Sequence, residues 1–193
     1  MKKVFLSATA LGLFFMSCSN DDFMAESANS TKDVQPFAYM ARQQTDLTTV
    51  INEVQNKCRG INGQGTALIT AVEETAMQTP LFLALVDENY TTPTLDELNT
   101  PVGIAQMSYR AEVKDQLLLI TKGRVTGSYV GNKAFSESEQ ELLETCRLME
   151  ENGGGDNDNS GDTGGVRTIT AFAYGYQQSR ANAVIMAVLV SFK

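Results

Sequence analysis

The sequence predicts an α+β fold, mainly α: a helical, bundle-like body with a C-terminal β-hairpin-like segment, and an all-α arrangement as the alternative. Three observations predict it. Apolar residues recur at helical spacing from Leu47 to Met149. Glycine, proline and threonine cut that span into short pieces. Near the C-terminus the rhythm changes to alternation, first through Phe172, Tyr174 and Tyr176, then through Val184, Met186, Val188, Val190 and Phe192.

Leu47, Val50, Ile51, Val54 and Cys58 define one face of a first helix, which Gly60 ends. Thr66 is a candidate cap for a second, with Leu68, Ala71, Val72, Thr75 and Ala76 on its face to about Thr79. The pairs Thr79-Pro80, Thr92-Pro93 and Thr100-Pro101 each join a capping hydroxyl to a proline suited to a first turn. They predict helices over 80–89 and 93–98 and a longer one from 101, with Val102, Ala105, Tyr109, Val113, Leu117 and Ile120 as its stripe. A hairpin of Leu117–Thr121 with Arg124–Val130 competes with the end of that helix. Ser136 and Glu139 form a capping box for a helix burying Leu142, Leu143 and Cys146. For Ala183–Val190, periodicity does not separate a strand from a buried helix.

With 15 basic and 23 acidic side chains, the net charge of -8 argues against nucleic-acid binding, which needs surplus Lys and Arg. The chain contains no histidine, which excludes Ser-His-Asp and Cys-His nucleophile systems and any histidine-containing metal site. It is therefore read as a non-enzyme.

Lys2-Lys3, the apolar stretch Val4–Met16 and Ser17-Cys18 follow the order of a processed export signal. Ser17-Cys18 resembles the lipobox of bacterial lipoproteins, which implies that Cys18 is acylated and becomes the mature N-terminus. Phe15 and Met16 depart from the usual residues of that box. The following Ser19-Asn20-Asp21-Asp22 resembles the surface-export signal of lipoproteins from the Bacteroidota. The resemblance covers about residues 1–22 and implies a lipid-anchored protein of the outer membrane, exposed at the cell surface, with a periplasm-facing body as the alternative. Losing residues 1–17 removes two lysines and no acid, taking the net charge from -8 to -10.

The chain then divides into a signal peptide (1–17), the lipidated cysteine with a polar tether (18–35), a mainly helical domain (36–152), a Gly/Asp/Asn-rich linker (153–165) and an apolar C-terminal segment packing on the helices (166–193). Outside the cytoplasm, Cys58 and Cys146 could form a disulfide or remain buried thiols. Asp156, Asp158, Ser160 and Asp162, with Gly161, resemble the first half of an EF-hand calcium loop, but position 12 holds Arg167 where a bidentate Glu belongs. Apart from calcium, no cofactor is expected.

Gly60–Thr66 has phosphate-loop glycines without the loop lysine, and a helix–helix turn explains them. Tyr129 and Lys133 match a short-chain dehydrogenase dyad, with no dinucleotide-binding unit before it. Asp87/Glu88, Asp96/Glu97 and Glu150/Glu151 read as solvated pairs. The expected role is a membrane-anchored binding or assembly module with a protein partner at the cell envelope, Phe172, Tyr174 and Tyr176 being the candidate contact surface, with core packing as the commoner role for such residues. Alternatives are a calcium-stabilised adhesion module and a carboxylate glycan hydrolase, which would join Glu112 or Asp115 to a second acid.

Overall fold

A computed structural model describes residues 46–100, 102–153 and 164–192. Among the described residues the chain forms eight α-helices and no strand. They are α1 (Leu47–Cys58), α2 (Gly65–Met77), α3 (Pro80–Leu83), α4 (Leu95–Asn99), α5 (Ala111–Ile120), α6 (Glu137–Gly153), α7 (Gly164–Tyr176) and α8 (Arg180–Ser191). A 3₁₀ turn, Ile104–Gln106, precedes α5. None of these helices is long and apolar enough to cross a membrane.

Local chemistry accounts for most boundaries. The Asp46 carboxylate caps α1 by accepting from Thr48 N–H at 3.0 Å, and the predicted face is buried from Leu47 to Cys58. The α2 helix begins at Gly65, whose φ of 59° suits glycine, so Thr66 lies inside the first turn instead of capping it. Pro80 opens α3, a single turn that ends well short of residue 89. Thr79 does not cap it: its hydroxyl donates to Thr75 O at 3.3 Å and accepts from Lys57 Nζ at 3.2 Å. Thr94, not Thr92, caps α4 through a capping box with Glu97.

The helix expected from residue 101 is broken. Gly103 is extended before the 3₁₀ turn, and extended backbone at Met107 and Arg110 separates that turn from α5, while Val113, Leu117 and Ile120 keep the predicted stripe. The competing hairpin over 117–130 is absent, since Leu117–Ile120 completes α5. Ser136 and Glu139 do form the box that opens α6: Ser136 N–H donates to Glu139 at 2.8 Å and Glu139 N–H to the Ser136 hydroxyl at 3.3 Å.

The C-terminal β-hairpin is overturned, and the all-α alternative fits. Residues 164–191 form two helices joined by a short turn, an antiparallel helical pair. Ile169, Phe172 and Ala173 lie buried on one stripe of α7, and Tyr176 extends it at helical spacing. In α8 every residue from Ala181 to Leu189 is buried, the intervening Ile185 and Leu189 as fully as Val184, Met186 and Val188, so the apparent period of two marks no buried and exposed face. A helix apolar on all sides belongs at a core's centre. Accordingly, α8 packs on α7, α1, α2 and α4.

Surface carboxylates pin the periphery. Arg110 Nε donates to Glu139 at 2.7 Å, and this bond holds the Glu139 carboxyl below its ordinary value against desolvation. For Glu144, burial pushes the pKa up, but hydrogen bonds from Arg147, Tyr129 N–H and Ser128 outweigh it and the carboxyl sits low. A depressed carboxylate contributes stability above its unfolded pKa and loses it as pH falls through the folded pKa. The denaturation midpoint is therefore expected to fall as pH drops below the ordinary value of 4.5. Glu139→Gln should flatten that slope, and an unchanged slope would show that Glu139 is not linked to folding.

Candidate functional site

A cleft of about 450 Å³ opens between α4, α7 and α8. Helical spacing on α7 aims Val166, Arg167, Thr170, Ala171 and Tyr174 into it, and Met186 and Val190 of α8 form the floor. Leu98 and Asn99 of α4, with Val102, complete the wall. Most of this surface is apolar, with polar groups at few points, as in small-molecule sites.

Two anchors hold α4 against the C-terminal pair. Asn182, 1% exposed at the start of α8, donates from Nδ2 to Thr91 O at 2.6 Å, and its Oδ1 accepts from Thr91 N–H at 3.2 Å. Gln178, in the α7–α8 turn, donates to Glu97 Oε1 at 3.1 Å. The cleft's shape is thus tied to that turn.

Two charged side chains of opposite sign line the cleft. Glu97 Oε2 accepts from Thr94 N–H at 2.7 Å and the Thr94 hydroxyl at 2.9 Å. Burial pushes the Glu97 carboxyl up, but the Thr94 and Gln178 bonds outweigh it and hold it below its ordinary value, favouring the anion. Arg167 is exposed on the first turn of α7, and the ion pairs among the described residues do not include it. An acid held ionised is a weak proton donor near neutral pH, so this arrangement suits recognition better than proton transfer.

The alternating aromatics divide between the two roles, core and contact surface. Phe172 is in the core, with its ring 5.9 Å from that of Tyr176, whose hydroxyl donates to Glu141 at 2.6 Å. Only Tyr174 faces the cleft. Glu112 and Asp115 both lie exposed on α5, Glu112 being 3.5 Å from Arg110. Tyr129 is buried and donates to Gln116 Oε1 at 2.8 Å, whereas Lys133 is exposed.

Cys58 and Cys146 are both buried and unbridged. Burial pushes both thiols up, Cys58 against a hydrogen bond with Thr75, so neither favours the reactive thiolate. Cys58 and Cys146 are expected to react slowly in the native chain and both to react in denaturant without reductant. A disulfide would instead reveal both only after reduction.

Cys18 and the candidate calcium ligands Asp156, Asp158, Ser160 and Asp162 lie outside the described residues. Arg167, at position 12 of that loop, is inside α7. Among the described residues, no group of three or more acidic or cysteine side chains is placed to hold a metal ion.

Sequence reasoning missed the cleft. From sequence, Glu97 reads as half of a solvated pair and Arg167 only as a departure from the calcium-loop pattern. The available signal was helical: Val166, Thr170 and Tyr174 recur every four residues, as do Met186 and Val190. No protein-family model, curated protein or solved structure matches the chain.

Proposed function

We propose that this chain is a lipid-anchored extracytoplasmic protein of the outer membrane, facing the cell surface, whose helical body is a non-catalytic binding or assembly module. The cleft between α4, α7 and α8 carries the binding part of this reading: it joins an apolar floor to two opposite charges, Glu97 and Arg167, on different helices. The anchor rests on Lys2-Lys3, the apolar run and Ser17-Cys18, and surface exposure on Asp21-Asp22. A net charge of -10 after processing gives no attraction to anionic lipid, so attachment falls to the acyl chains.

Metabolic labelling with an alkyne palmitate tests the anchor. The wild-type chain is expected to take the label and to lose its body when intact cells are treated with protease. Cys18→Ala is expected to abolish labelling. Equal labelling of both chains, or of neither, would overturn the anchor, and a protease-resistant body on intact cells would overturn surface exposure.

A further inference from the structure

We propose that the α4–α7–α8 cleft binds a short peptide with apolar side chains and free termini, its ammonium directed to Glu97 and its carboxylate to Arg167. This rests on the reading of the body as a binding module and names its ligand class.

The two charges decide between ligands. Glu97 and Arg167 stand on different helices, line one cleft and form no ion pair with each other. Three hydrogen bonds occupy three of the roughly four acceptor positions of the Glu97 carboxylate, leaving room for one more donor. A purely apolar occupant would cover both charges without partnering either, which is costly. An occupant with one charge would satisfy one group and leave its opposite desolvated. A zwitterion with an apolar body partners both. Its side chains would lie against Ala171, Met186 and Val190, and Tyr174 offers a ring face and a hydroxyl. The cleft, at about 450 Å³, falls in the lower half of the usual range for small-molecule sites.

The test is calorimetry on the lipidated chain in nanodiscs, with empty nanodiscs as the blank and dileucine as the probe. Free dileucine is expected to bind, with N-acetylation and C-amidation each weakening it by about tenfold, as for one lost charge-assisted hydrogen bond. Glu97→Gln keeps the capping box, because glutamine serves at that position. It should bind free dileucine about tenfold more weakly and be indifferent to acetylation. Arg167→Gln should be indifferent to amidation in the same way. Val166→Trp, an exposed change at the rim, should weaken every form.

Equal binding of free and doubly blocked dileucine would overturn the proposal and leave an apolar slot. So would no binding by the wild-type chain, tighter binding of decanoate than of dileucine, or full binding by Val166→Trp. Loss of palmitate labelling with dileucine binding intact would instead defeat only the anchor. Labelling without dileucine binding would defeat only the ligand assignment.

Discussion

Gly175→Ala is expected to destabilise the fold by about 2 kcal/mol, although alanine is the better helix former by about 1 kcal/mol. A Cβ at Gly175 would lie 2.7 Å from Asn182 O, 2.8 Å from Asn182 C and 2.9 Å from Ala183 Cα. All three are backbone atoms, so no side chain can swing aside and α7 must move away from α8. Overpacking of this kind costs about 1–3 kcal/mol, and its backbone character places it at the upper end. A urea titration followed by far-ultraviolet dichroism reads the result. A raised midpoint would mean that the two helices do not cross this closely. Because Tyr174 is the adjacent residue, the same variant is also expected to weaken dileucine binding.

Asn182→Ala is expected to cost about 3 kcal/mol, since each buried polar group stripped of its partner costs about 1–3 kcal/mol. The Asn182 side chain serves four groups at once. Its Nδ2 donates to Thr91 O at 2.6 Å and Gln178 Oε1 at 2.9 Å, and its Oδ1 accepts from Thr91 N–H at 3.2 Å and the Ser179 hydroxyl at 2.7 Å. Alanine would strand both backbone groups of Thr91 and release the segment leading to α4. Hydrogen exchange should then accelerate over residues 91–99 more than over α1. Uniform acceleration would show that Asn182 supports the whole core and does not specifically hold the cleft wall.

What the sequence made legible was the part in which local chemistry and tertiary packing agree. The faces of α1, α5 and α6 could be read because one side of each meets solvent, so apolar and polar residues separate visibly. Ser136 and Glu139 could be read because a capping box is complete within four residues. The C-terminal pair could not be read in that way. Central burial of α8 removes the polar face on which periodicity depends, and its valines and β-branched neighbours then imitate a strand. In α7, Tyr174 faces the cleft while Phe172 and Tyr176 face inward, so two distinct helical faces produced a false alternation.

The candidate site was less legible still. Glu97 and Arg167 lie 70 positions apart, and nothing local to either marks it for recognition. They line one cleft where Asn182 and Gln178 bind the α4 region to the α7–α8 pair. The proposed anchor is the opposite case: it rests on a linear signal, Lys2 to Asp22, whose reading calls for no fold.

Mass spectrometry of the N-terminal peptide of the membrane-purified chain tests most directly whether the tethered body begins at a lipidated cysteine. The peptide is expected to start at Cys18 and to carry the mass of a diacylglyceryl group with any further N-acyl chain, and Cys18→Ala should yield no such species. A mature chain that starts elsewhere, or a Cys18 of unmodified mass, would contradict the account.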